Sequence, residues 1–162
     1  MSHYLDEEIS HEKDGQAELI PEQGYNSYAV VQTSYPGIGL NPYSYSAFMS
    51  SFNSTTEGSF TCPNSTIAPG GFCYINSTCT DVTYKYNLTN YGFSMYLEAG
   101  SNVGNASLGL EALLVNNGTV LDPKCFLLVG QIGDENIQSD ATIVLGMQWL
   151  YNYYVELAFN SY

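Results

Sequence analysis

Chemistry needs side chains that titrate, attack or ligate, and this chain spreads them thinly. Its two histidines, His3 and His11, stand in a charged N-terminal stretch, and no Gly-x-Ser-x-Gly segment occurs. A Ser/His/Asp machine therefore has no parts to draw on. The four cysteines, Cys62, Cys73, Cys79 and Cys125, lack Cys-x-x-Cys spacing and lie far from either histidine, which argues against a zinc site. The acidic group Asp134, Glu135 and Asp140 lacks the spacing and the glycine of a calcium loop and reads as a solvated turn. No metal and no organic cofactor is expected. An even number of cysteines predicts two disulfides, with three pairings open. Six Asn-x-Ser/Thr sequons begin at Asn53, Asn64, Asn76, Asn87, Asn105 and Asn117. Together with paired cysteines they point to a glycoprotein of the secretory pathway, lumenal or extracellular.

Charge narrows the partners. Lys plus Arg total 3 against 16 Asp plus Glu, for a net charge of -13. Phosphate backbones and anionic lipid need clustered cations, so a nucleic acid and an anionic membrane surface are excluded as partners. The first residues, Met1 to Glu8, are acidic and polar, without the basic start and apolar run of a signal peptide. A lumenal body behind such a start predicts a truncated chain. The most apolar stretch, residues 141–159, is interrupted by Gln148, Asn152 and Glu156, which predicts no membrane span.

The elements that would position any site read as mostly short strands. Fifteen Tyr and seven Phe, with Thr, Val and Ile between Gly-, Asn-, Ser- and Pro-rich gaps, favour an all-β domain. Residues 1–24 form an acidic segment, weakly structured or an edge strand at Ala17-Glu-Leu-Ile, and residues 25–162 form the domain proper. Tyr28-Ala-Val-Val is a buried strand, followed by a turn-rich loop from Gln32 to Leu40. A helix follows from Pro42 to Phe52: Asn41 caps it, Pro42 takes its first position, and Tyr45, Phe48, Met49 and Phe52 share one face. Residues 59–80 form a cysteine-clipped loop. Val82, Tyr84 and Tyr86, then Phe93, Met95 and Leu97, alternate with mostly polar residues, which predicts a hairpin over 82–98. Gly100 to Gly109 is a loop. Leu110–Val115, Cys125–Val129, Ile143–Leu145 and Tyr153–Leu157 are further strands.

Two segments together resemble the C-terminal lobe of the pepsin-like aspartic proteases. That lobe carries a buried strand running into Asp-Thr-Gly-Thr-Ser, then apolar residues, a Pro and a short helix. Here Ala29-Val-Val leads into Gln32-Thr33-Ser34-Tyr35-Pro36, with Ile38-Gly-Leu40 and the Pro42 helix beyond. The lobe closes with an apolar pair, Gly-Asp, an aromatic, an apolar residue, Arg and a Tyr-Tyr-Val strand. Here Val144-Leu-Gly146-Met147-Gln-Trp149-Leu150-Tyr151-Asn-Tyr153-Tyr-Val155 matches except at Met147 and Tyr151, which stand for the Asp and the Arg.

The resemblance implies an all-β fold of one acid-protease lobe with one or two short helices. It implies a Cys62–Cys125 bridge, with Cys73–Cys79 clipping an inserted loop. It places Gln32, Thr33 and Ser34 at the catalytic motif, and makes Tyr35 and Tyr43, with Tyr45, candidates to line a half-cleft. Such proteases need two carboxylates that share a proton, one from each lobe, to activate water. Gln32 has an amide that cannot act as a general base, Ser34 replaces the glycine, and Pro36 removes a backbone donor. No second motif occurs in the chain. The expectation is thus an inactive aspartic-protease homologue or fragment, with a peptide or a second lobe as partner and self-association through the face a second lobe would cover. The alternatives are half of an aspartic endopeptidase whose other lobe lies outside this chain, and a secreted structural glycoprotein using the lobe as a scaffold.

Overall fold

The structure, a computed structural model, describes residues 10–13, 16–19, 28–63, 71–99, 102–132 and 142–152. Strands β1 (Ser10–Lys13) and β2 (Gln16–Leu19) pair as an antiparallel hairpin. Next come β3 (Tyr28–Val31), β4 (Ile38–Leu40) and the helix α1 (Pro42–Thr55). Strand β5 (Tyr74–Ile75) precedes a second helix, α2 (Cys79–Tyr86), and the 3-10 turn Leu88–Asn90. Strands β6 (Gly92–Ala99) and β7 (Asn102–Gly109) pair antiparallel along their whole length. The 3-10 turn Leu110–Leu113 leads to β8 (Leu114–Asn116), β9 (Cys125–Leu127) and β10 (Val129–Gln131). Strand β11 (Thr142–Leu145) and the short helix α3 (Met147–Leu150) end the described chain.

A four-stranded mixed sheet, in the order β10-β4-β11-β3, carries the chain's most apolar runs. Strand β11 lies parallel to β3 and antiparallel to β4, and β4 lies parallel to β10. All of Ile38–Leu40 and Ile143–Leu145 are buried, as befits strands covered on both faces rather than alternating. A second, antiparallel sheet has the order β5-β9-β8.

Helix α1 packs its predicted face into the core. The Asn41 side chain accepts a hydrogen bond from the Ser44 N–H at 2.9 Å, satisfying one of the orphan donors of the first turn. The Phe48 ring stacks near Phe52 at 5.7 Å and meets Phe93 at 4.9 Å, while Phe60 meets Phe52 edge-on at 4.9 Å. These rings join Leu40, Val82, Leu88, Leu113, Leu127, Ile143 and Trp149 in one hydrophobic cluster. The helix stops where Glu57 and Gly58 turn to positive φ.

Five expectations are corrected. The fold is mixed α/β, with a 14-residue α1 and an 8-residue α2, and is not an all-β lobe. The predicted 82–98 hairpin is half helix: Val82, Tyr84 and Tyr86 lie in α2. The Thr78 hydroxyl accepts from the Asp81 N–H at 3.1 Å and donates to the Asp81 carboxylate at 2.6 Å, and Asn87 closes the helix in the left-handed region at φ 53. Those caps, with Cys79, Val82 and Tyr86 sharing a buried face, outweigh the strand-like alternation. The supposed loop at 100–109 is largely strand β7, while Leu110–Leu113 is a 3-10 turn and Ile38–Leu40 a strand. The predicted strand Tyr153–Leu157 and the acidic group Asp134, Glu135 and Asp140 lie outside the described residues.

The disulfides are also paired otherwise than the resemblance implied. Cys62 bonds Cys73, and Cys79 bonds Cys125. Reciprocal backbone bonds between Thr61 and Tyr74, at 2.7 and 2.9 Å, set their neighbours Cys62 and Cys73 side by side. The Cys79 N–H donates to the Asn116 side chain at 2.7 Å, and Asn116 is the register partner of Cys125. Asn116 thus brings the start of α2 to Cys125.

Candidate functional site

The two segments singled out in the sequence meet in space, and backbone groups join them. Strand β3 runs parallel to β11 with Val31 opposite Leu145. The next N–H, that of Gln32, donates to the Leu145 carbonyl at 3.0 Å. The chain then turns back on itself: the Tyr35 N–H donates to the Gln32 carbonyl at 3.1 Å, and Pro36 fixes the exit. The carbonyls of residues 35, 36 and 37 now point at the start of α3. They accept from Met147 at 2.7 Å, from Gln148 at 3.0 Å and from Gly146 at 2.9 Å. Helix α3 has no side-chain cap at Gly146, and these carbonyls satisfy its first N–H groups instead.

Two glycines permit this approach. A β-carbon on Gly146 would lie 2.2 Å from the Tyr35 carbonyl oxygen and 2.4 Å from that of Gly37. On Gly37 it would lie 1.8 Å from the Leu128 carbonyl oxygen, the acceptor of the Ile38 N–H at 2.9 Å.

Gln32, Thr33 and Ser34 are all exposed on the turn. The Gln32 amide donates to the Ser34 hydroxyl at 3.0 Å, closing on its own loop. No carboxylate occurs between Gln32 and Gly37, so the turn offers hydrogen-bond donors and acceptors but no general base.

The cleft-lining candidates separate. Tyr43 is exposed, but Tyr35 turns inward. Its ring meets Phe72 edge-on at 5.9 Å, and a β-carbon on Gly130 would lie 2.4 Å from its hydroxyl. Burial first, and the neighbouring Tyr45 second, push its phenol up to about 12. Tyr45, half-buried, has its hydroxyl 3.7 Å from Cys73 Sγ, and burial raises its phenol too. Tyr35 and Tyr45 are thus partly buried, and of the three Tyr43 is the exposed one.

The sequon residues Asn53, Asn76, Asn87 and Asn117 are exposed. Asn64 lies outside the described residues, and of Asn105 only its backbone place in β7, opposite Tyr96, is described. Among the described residues no helix is long and apolar enough to cross a membrane. One surface feature was hidden from the sequence reading, a groove beside α2 that includes Asn87. Its signal was the cap pair Thr78 and Asp81, which marks a helix where a strand was read. No protein-family model and no curated protein matches the chain.

Proposed function

We propose that this chain is a catalytically inactive homologue of the pepsin-like aspartic proteases, acting in a secretory compartment by binding extended peptide rather than cutting it. The observation that carries the reading is the meeting of the Gln32–Gly37 turn with the Leu145–Gln148 segment, the two stretches whose residues resemble that family's motifs. At the first residue of the turn, where the family has its aspartate, stands an exposed amide. An amide neither takes a proton from water nor shares one with a partner carboxylate. The exposed turn and the adjoining β3, with Val30 and Val31 at 46% and 40% exposure, suit an extended peptide that pairs through its backbone. Two formed disulfides and four exposed sequon asparagines support the compartment.

The test is direct. Purified chain is incubated with acid-denatured haemoglobin at acid pH, and peptide release is followed beside a Gln32→Ala variant. No release is expected from either. Cleavage by the natural chain that Gln32→Ala abolishes would overturn the reading. The binding half is checked by retention of unfolded haemoglobin fragments on immobilised chain, where saturable retention is expected and its absence removes that role.

A further inference from the structure

We infer that Asn87 carries an N-linked glycan whose first sugar packs against Tyr84 in a groove built beside α2. This rests on the secretory placement proposed above. The groove has a volume of about 510 Å³, and its lining includes Thr80, Thr83, Tyr84, Asn87, Thr89 and Glu111. It therefore holds an entire sequon's polar residues, Asn87 and Thr89, together with an aromatic ring.

Three features single this sequon out. Tyr84 is a large ring left 90% exposed, although the other tyrosine of the helix's last turn, Tyr86, is buried. It stands three residues before Asn87, so the two share one side of the helix end. A sugar presents one face of C–H groups and a rim of hydroxyls, which suits an aromatic face beside polar groups. Thr80, Thr83 and Glu111 supply those groups. The backbone is prepared as well: Asn87 sits in the left-handed region at φ 53 and ψ 43, which asparagine tolerates better than most residues.

The order of events follows from Leu88. This middle residue of the sequon is fully buried in the core, so the sequon can be presented in extended form only before the chain folds. In that step the Asn87 amide nitrogen displaces pyrophosphate from C1 of a lipid-pyrophosphate-linked oligosaccharide. The new C–N bond replaces the C–O bond, the lipid pyrophosphate leaves with the electron pair, and the amide proton passes to base. Folding then brings the attached sugar against Tyr84.

The experiment expresses the full chain, directed by a cleavable leader, through the secretory pathway of a eukaryotic cell. Occupancy at each sequon is read by mass spectrometry after enzymatic release of glycans in isotopically heavy water. Asn87 is expected to be occupied, with occupancy lost in Thr89→Ala and kept in Thr89→Ser; both variants leave the left-handed asparagine in place. Thr89→Ala is further expected to lower Tm by roughly 2–4 °C, the scale of one aromatic contact in a domain of this size. In a Tyr84→Ala background the same change lowers Tm by nothing measurable. Occupied Asn53, Asn76 or Asn117 with a bare Asn87 overturns the site and leaves the compartment standing. A chain bare at every sequon overturns both. An occupied Asn87 whose loss shifts Tm equally with and without Tyr84, or not at all, overturns the packing on Tyr84.

Discussion

Replacing Gly146 by alanine tests whether the turn and α3 are one unit. The backbone at Gly146, φ -94 and ψ -163, is open to any L-residue, so the cost of alanine is steric alone. The added carbon would sit 2.2 Å and 2.4 Å from two carbonyl oxygens and 2.8 Å from the Tyr35 carbonyl carbon. All three are backbone atoms, which cannot swing aside as a side chain would. Relief requires the turn to move away from α3. Overpacking of this kind costs about 1–3 kcal/mol. The movement also strains three N–H bonds, from Gly146, Met147 and Gln148, each contributing roughly 0.5–1.5 kcal/mol. With about two of them lost, the total is about 2–6 kcal/mol, a large part of the ~5–15 kcal/mol that holds a domain. Tm should then fall by roughly 10 °C. Urea denaturation followed through Trp149, the sole tryptophan and 2% exposed in α3, reports it. Gly58→Ala is the control: at φ +65 with nothing within 4 Å, it meets backbone strain and no clash, costing about 1–2 kcal/mol. A Gly146→Ala protein within about 0.5 kcal/mol of the natural one, the range of an ordinary surface change, would refute the reasoning.

Two further outcomes are expected. Removing the Cys79–Cys125 bridge by paired alanines should destabilise more than removing Cys62–Cys73, because it spans 46 residues rather than 11. The chain-entropy estimate is about 4 against about 3 kcal/mol, read from urea midpoints, and the reverse order would count against it. The second concerns alkaline stability. The Tyr35 phenol is raised from 10.0 to about 12 in the folded chain. The unfolded chain therefore loses that proton first as pH climbs, and stability is complete below about pH 10 and lost through about pH 12. Tyr35→Phe should flatten the fall of the urea midpoint over that window, and an unchanged slope would show that Tyr35 does not drive it.

Much of the frame was legible because local signals agreed with tertiary burial. At α1 the cap Asn41, the proline after it and the apolar spacing all named the same helix. At β11 a short apolar run named a buried strand; at β3 it named the strand but not its burial, because β3 is the sheet's edge and leaves Val30 and Val31 exposed. Legibility failed where two periods fit the same residues. Val82 and Tyr86 are two steps of a strand but also one turn of a helix, and only the caps at Thr78 and Asn87 decide between them. It failed at β7 because Gly104 and Gly109, with Asn102 and Asn105, look like a loop while the ladder to β6 holds them extended. The disulfides failed for another reason: the pairing came from a resemblance, whereas the bridges follow from the Thr61–Tyr74 pairing and from Asn116.

In the candidate turn, what the fold requires and what the side chains could do separate cleanly. Four bonds that tie the turn to β11 and α3 use backbone atoms: the Gln32 N–H and the carbonyls of residues 35 to 37. Side chains matter to that architecture where space is short, at Gly37 and Gly146, and where Tyr35 fills the gap beside Phe72 and Gly130. The side chain of residue 32 is exposed and its bond is to Ser34 within the same turn. Its identity is thus uncoupled from the stability of the fold. An acid at that position could be exchanged for an amide with no more than a surface-level cost, typically within ±0.5 kcal/mol, whereas the glycines beneath it could not change so freely. On the reading proposed above, an amide in place of the family's aspartate would leave this backbone path intact. The reason is physical: the fold enforces the backbone path, and only catalysis would enforce the carboxylate.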